Sequence, residues 1–428
     1  KIILALISVG IVILMILPVN LFAAHFRYGT MSWELTGNDN ATHTEILLKM
    51  QSGWDNSGWA SAYFDQVGEI NNNWIDKIQW GDGDNETADV KTISVDTDSD
   101  STIVEMGDNS SPSWVTGVTH SFANNGTYVI VWASGNRIPN IKNMDNSSKW
   151  RLETKVTIGG DFAGNISPVS AVPPIVQVQD NKTFSYQVSA TDANSDSLSY
   201  RWGTYKEFVD NTSDTTYAKP TGMILSSSGL VTWNVQNSGG QATDTGDIWL
   251  AFIVVEDLDS SSGDNKSYIP IDFFFKITDP TNDPPVITGI PSGTQTVSVG
   301  STKTFTITST DDSGVAPTIT VLNPPSDNSS IWDNTTSTSG GTRTFTINFT
   351  PDSSMGGKTY VVNVRSTDNA SMTQDQSFSI QVSSVANADP TAPTLISPAN
   401  GDNVTSPVTF RFAASTDSDG DNVSYTMY

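Results

Sequence analysis

Aspartate and asparagine gather at the ends of apolar runs in this chain. Asp192, Asn194, Asp196 and Asp257 form one such set, with Asp161 and Asn165 upstream. Asp279, Asn282, Asp283, Asp311, Asp312 and Asp368 form a second, and Asn387, Asp389, Asp417, Asp419 and Asp421 a third. Carboxylate and amide oxygens are hard donors, and a calcium ion takes about six to eight of them at roughly 2.3–2.6 Å. Calcium is therefore the expected cofactor, with these residues as its ligands. The ion would cancel repulsion among the carboxylates and stiffen the segments that carry them. The competing reading is that Asp, Asn and Ser terminate strands and build turns.

Little else in the chain carries chemistry. Cysteine is absent, which removes disulfides, thiolate zinc sites and cysteine nucleophiles together. Three histidines, His25, His43 and His120, leave few groups for acid–base work. There is no Gly-X-Ser-X-Gly, His-Glu-X-X-His or phosphate-binding loop, so no catalysis is expected and no catalytic residue is assigned. The formal charge of −25 repels phosphate backbones, which argues against a nucleic-acid partner. A second lead is aromatic. Trp54 and Trp59 lie in a Gly/Ser/Asn-rich stretch, Ser52–Phe64, where exposed rings would contact glycans and buried ones would pack a core.

The elements that must position the acidic sets are strands. TFSYQVSATD (Thr183–Asp192), TFTITSTD (Thr304–Asp311) and TFRFAASTD (Thr409–Asp417) each alternate large apolar with small polar residues and end in Thr-Asp. Period-two alternation is a strand with one face on a core. Successive copies lie about 110 residues apart, the size of one sandwich domain. LAFIVVED (Leu250–Asp257) and YVVNVRSTD (Tyr360–Asp368) supply matching later strands that also end in Asp. Proline-rich stretches at 167–175, 278–287 and 387–398 mark semi-rigid joints. The expected architecture is an all-β extended array of tandem β-sandwiches, with units at 24–159, 168–279, 281–385 and a truncated 390–428. The loops at the chain-entry end of each sandwich would bring each acidic set to a joint.

Lys1, the apolar run Ile2–Leu17, Pro18 and the small Ala23 and Ala24 read as a secretory signal peptide over 1–23, with an uncleaved anchor as the alternative. Fifteen Asn-X-Ser/Thr sequons among 33 asparagines fit N-glycosylation on exposed turns, or the habit of these residues to cluster there. The chain begins without Met and stops at Tyr428 inside a strand-like pattern, as a fragment truncated at both ends would.

The units from 168, 281 and 390 resemble cadherin-like or other immunoglobulin-like repeats, and the fourth equally a fibronectin type III-like module. Asp279-Pro-Thr-Asn282-Asp283-Pro-Pro is similar to the cadherin linker, with one extra residue. ATDANSDSLSY and STDSDGDNVSY are similar to the cadherin Asp-X-Asp turn, which the third unit replaces with Asp311-Asp312. The glutamate motif of a preceding cadherin domain has no counterpart. Asp417-Ser-Asp419-Gly-Asp421 also resembles part of an EF-hand loop, without its position-twelve Glu or flanking helices.

The first unit resembles a PKD (polycystic kidney disease) domain through WGDGD (Trp80–Asp84) and HSFANNGTYVIVW (His120–Trp132), with Asn38–Asn73 as an insertion. These resemblances imply a non-catalytic protein, secreted or at the cell surface. Its roles would be adhesion or building a surface layer or filament. Its partners would be cell-surface proteins, glycans or further copies of itself, and it would meet a membrane only through its leader or an anchor beyond Tyr428. The alternative is the glycan- or protein-binding region of a larger secreted hydrolase.

Overall fold

A computed structural model of the protein describes residues 25–38, 43–56, 63–96, 100–110, 113–144, 149–209, 218–235, 243–326, 328–383, 390–399, 401–416 and 423–425. The signal-peptide segment, Trp59, Asn387, Asp389, Asp417, Asp419 and Asp421 lie outside the described residues. The fold is all-β. Among the described residues, no helix is long and apolar enough to cross a membrane.

The first unit contains β1 (Phe26–Leu35), β2 (Thr44–Asp55), β3 (Ile70–Gln79), β4 (Asn85–Asp96), β5 (Ser101–Asp108), β6 (Val115–Thr116), β7 (Val118–Phe122), β8 (Gly126–Ser134) and β9 (Trp150–Ile158). In β2 the apolar Ile46, Leu48 and Met50 recur every second residue, and all three are buried. Their neighbours in the core include Trp33, Trp80, Trp132 and Trp150. The expectation that 38–73 is an insertion is corrected here. β2 pairs with β1 along its length, with β7 through Thr44–Leu48 and with β5 through Gln51–Asp55, so it is a central strand.

The second unit runs β10 (Val169–Ser170), β11 (Ile175–Gln179), β12 (Thr183–Gln187), β13 (Ala190–Thr191), β14 (Ser197–Trp202), the short helix α1 (Tyr205–Phe208), β15 (Met223–Leu225), β16 (Leu230–Asn234), β17 (Ile248–Leu258) and β18 (Asn265–Thr278). The third runs β19 (Val286–Thr288), β20 (Thr294–Val297), β21 (Lys303–Thr310), β22 (Thr318–Val321), β23 (Trp332–Ser339), β24 (Thr342–Phe349), β25 (Thr359–Thr367) and β26 (Thr373–Val382). The two share one plan. One face is ordered β12-β16-β15 or β19-β21-β24-β23; the other is β14-β17-β18 or β22-β25-β26, with β11 or β20 added parallel to its last strand. This is the two-sheet layout of an immunoglobulin-like sandwich. The repeated Thr-Phe segments occupy matching strands, β12 and β21. Beyond them, β27 (Thr394–Ser397) and β28 (Arg411–Ala413) form a two-stranded sheet.

β17 and β18 break the half-buried rule. Trp249 through Val255 are buried without a break. One face of the strands packs Trp249, Phe273 and Phe275 against Trp233, while the other packs Leu250, Phe252 and Phe274 against Ile138, Ile141 and Phe208. The second sandwich is thus covered on its outer face by the first unit together with its own helix α1. Gly29 pairs with Asp272 and Thr30 with Ile271, so β1 and β18 belong to one 13-stranded sheet. Gly29 leaves room at this crossing for the Leu152 and Phe26 side chains, which a Cβ there would force to shift. A proline-stiffened linker was expected here; the observed joint is made of paired strands.

Candidate metal centre

Where the first unit hands over to the second, the chain is stitched to β1. Ser167 N–H donates to Trp33 O at 3.1 Å, and Trp33 N–H donates to Ser167 Oγ at 2.7 Å. This fixes Asn165 two residues upstream, where its Nδ2 donates to Asp257 Oδ2 at 2.8 Å. Asp257 lies near the end of β17, fully buried, and also accepts from Ser267 Oγ at 3.0 Å. The turn after β13 supplies Asp192 and Asp196, with Asp196 N–H donating to Asp192 Oδ1 at 3.0 Å. One oxygen each of Asp192, Asp196 and Asp257 lies within 4.8 Å of the other two.

Three acceptors at this joint are left over. Asn165 Oδ1, Asp192 Oδ2 and Asp257 Oδ1 are buried and have no hydrogen-bond partner. Among the described residues the nearest cation is Lys266, whose Nζ contacts Asp196 Oδ2 and stands 3.9 Å from Asp257 Oδ1, while Lys155 acts on Asp257 from further off. Three carboxylates share one directly contacting ammonium. Burial, reinforced by the charges of Asp257 and Asp196, pushes the Asp192 carboxyl up to about 6, and burial also raises Asp257. Orphaned, oxygen-only acceptors in a negative pocket fit a hard divalent cation. Asn194 stands at the edge: its Oδ1 accepts from Ile166 N–H at 2.8 Å and its Nδ2 donates to Gly164 O at 3.2 Å. Asp161 is exposed in the preceding turn.

The set around the third unit does not assemble in the same way. Asn282 Nδ2 donates to Asp368 Oδ2 at 2.6 Å, repeating the Asn165–Asp257 bond. However, Asp368 Oδ1 is already filled by the N–H groups of Ala370 and Met372, both at 2.8 Å. Asp279 accepts from Thr281 within its own turn, and Asp283 from Gln179 and Lys182. Asp311 Oδ1 accepts from Ser313 N–H at 3.0 Å while its Oδ2 is buried without a partner. Asp312 is exposed. Among the described residues, no three of these carboxylates converge. The expected shared site does not assemble at this joint, because local turns take up most of the acceptors and leave Asp311 Oδ2 isolated.

Two further expectations change. Trp54 is 5% exposed and packs edge-on or tilted against Phe26, Trp74, Trp132 and Trp150, so it fills the core and offers no platform for a glycan. Asn165 sits in a sequon, yet its amide is buried and committed to Asp257, so it is shielded from modification.

Sequence reasoning missed Lys266, the lone base after a Ser/Gly/Asp turn. It also missed the cluster Asp82, Asp84 and His120, the other convergent group among the described residues. There His120 stacks on Trp80 at 4.4 Å and bonds Asp82 Oδ2 through Nε2 at 2.7 Å, so the ring fastens the WGDGD turn. Two buried arginines were missed as well. Arg137 grips Asp272 with bonds of 2.8 and 2.6 Å, with neither side chain exposed. Arg365 holds Asp375 at 2.7 and 3.0 Å and reaches Asp96 of the first unit at 2.9 Å.

Residues 27–159 match the family model of Integrin beta-like protein A-E, N-terminal. The chain is 30% identical over 272 residues to Integrin beta-like protein A of Dictyostelium discoideum, an alignment covering 59% of this chain and 13% of that protein. It is 28% identical to Integrin beta-like protein B of the same organism over 192 residues, 42% of this chain and 9% of that one. The chain thus spans roughly a tenth of the length of the curated relatives it matches. Among solved structures, the tandem Ig repeats of Dlar align over 51% of this chain and 98% of that chain, at 14% identity and TM-score 0.21. The sialic acid binding region of a Streptococcus sanguinis SK1 adhesin aligns over 55% and 82%, at 15% identity and TM-score 0.20.

Proposed function

We propose that this chain is a non-catalytic, extracellular part of a cell-surface adhesion protein, in which a divalent cation, calcium by its oxygen ligands, locks the first unit to the second. The match of residues 27–159 to the integrin beta-like family model supports the surface role. The observation that carries the cation is the trio of buried acceptors without donors, Asn165 Oδ1, Asp192 Oδ2 and Asp257 Oδ1. Asp196 completes the set, and the ion would neutralise what Lys266 alone leaves uncompensated.

The locked turn also matters to the third unit. Gln381 Nε2 donates to Ala193 O at 3.3 Å, so ordering the Asp192–Asp196 turn steadies a contact with β26. Calcium therefore sets the geometry in which the units are displayed, while the partner meets other surfaces.

The test is calorimetry of the 428-residue chain with calcium. Heat of binding at sub-millimolar to millimolar calcium, with a raised melting temperature, is expected, as for extracellular modules of about 10⁻⁴–10⁻³ M affinity. Neither heat nor a shift at ten millimolar would sink the cation. Adhesion of beads coated with the chain to cells, with calcium and with chelator, tests the surface role.

A further inference from the structure

A cleft of about 710 Å³ opens between the second and third units. β12 forms one wall, with Phe184, Ser185 and Tyr186, and β26 the other, with Gln374, Gln376 and Ser377. The volume falls inside the range of roughly 300–1,000 Å³ found for small-ligand sites. Two buried hydroxyls of the lining have no partner: Tyr186, 3% exposed, and Thr373, 8% exposed. Both are unmet hydrogen-bonding groups in the wall behind the cleft.

The charge of the lining narrows the ligand class. Its acids and bases are Lys182, at the exposed rim and paired with Asp283, and Asp375, whose charge is answered by Arg365. All the other lining groups are amides, hydroxyls, aliphatics and aromatics. Amide and hydroxyl groups both donate and accept, as sugar hydroxyls do, and the half-buried rings of Phe184 and Tyr200 offer apolar faces to sugar C–H groups.

We infer that this cleft binds a neutral oligosaccharide, held between β12 and β26. It exists only while the two units are docked. Ser377 Oγ and Ser189 Oγ meet at 2.8 Å across the boundary, and Thr373 N–H donates to Gln177 Oε1 at 3.0 Å. The inference goes beyond the adhesive reading, and it uses none of the cation ligands.

The full chain is passed over an array of neutral oligosaccharides of about two to six sugars, and the best-retained one is measured by calorimetry in calcium and in chelator. Retention of neutral glycans is expected. Gln376→Ala should weaken it about fivefold or more, and Ser185→Trp, which fills the cleft from an exposed strand position, should abolish it. An array with no retention, retention of acidic glycans alone, or unchanged affinity in Ser185→Trp overturns the inference. Glycan binding that survives chelation leaves it standing even if the cation reading fails.

Discussion

The two joints of this protein use the same first device and then part ways. At each, an asparagine from the incoming chain donates to the aspartate that ends a long strand, Asn165 to Asp257 and Asn282 to Asp368. At the first joint the turn carries acids four residues apart, Asp192 and Asp196, and acceptors remain over. At the second, the residue four beyond Asp311 is Val315, Asp368 Oδ1 is filled by backbone N–H groups, and Asn282 Nδ2 also reaches Met372 Sδ at 3.5 Å. The number of acids near a joint therefore says little. What matters is how many oxygens the local turns leave unbonded. The arginines differ in the same sense. Arg137 and Asp272 are sealed from water, whereas Arg365 keeps 9% of its side chain exposed and Asp375 borders the open cleft.

The sharpest way to break this comparison is to remove the arginines. Arg137→Met strands a buried carboxylate and should cost about 3–5 kcal/mol in thermal or denaturant unfolding of the whole chain. Arg365→Met should cost less, because that arginine is itself 9% exposed and its removal opens the 1%-exposed Asp375 to water from the cleft; equal losses would erase the distinction. Next in size is the response to ten millimolar calcium. At the affinity proposed, it should add about 1–3 kcal/mol to the parent chain. Asp257→Asn should abolish that gain, while Asp368→Asn should lower stability yet keep it. The reverse pattern would move the site to the other joint.

Proton linkage is the third lever. The folded Asp192 carboxyl titrates at about 6, above its unfolded value near 4, so the folded state binds the extra proton between those pH values. Without calcium, stability from this group is therefore full below pH 4 and lost as pH rises through 6, by up to about 3 kcal/mol. Asp192→Asn should flatten that slope. Calcium should reverse it, because the ion displaces the proton, and its stabilisation should fade by pH 5. The smallest effect is expected at Lys266. Lys266→Met removes a competing cation and should tighten calcium a few-fold, under about 1 kcal/mol; a weaker affinity would make the lysine a structural partner of the ion.

Much of this was legible in the residues. Period-two segments ending in Thr-Asp foretold matching strands, and β12 and β21 occupy equivalent places. The acids Asp192, Asp196 and Asp257 were named from their positions at strand ends, and they do converge. The uninterrupted LAFIVVED run was a signal left unused: a strand apolar on both sides must be covered on both sides, and the first unit together with α1 is the cover. Trp54 misled because its Gly/Ser/Asn neighbours look like a loop, although Asp55 ends a strand and the ring faces the core.

Composition and alternation by themselves determined an all-β chain, its repeat length and the acid-rich strand ends, because those follow from side-chain period and local turn chemistry. Only the tertiary structure decided that β1 and β18 fuse two units into one sheet, that Arg365 reaches across to Asp96, and that one joint gathers its unbonded oxygens while the other leaves Asp311 Oδ2 isolated. Those outcomes depend on which groups far apart in the chain find each other first, and hydrogen-bond partners 92 or 269 residues away leave no mark in local pattern.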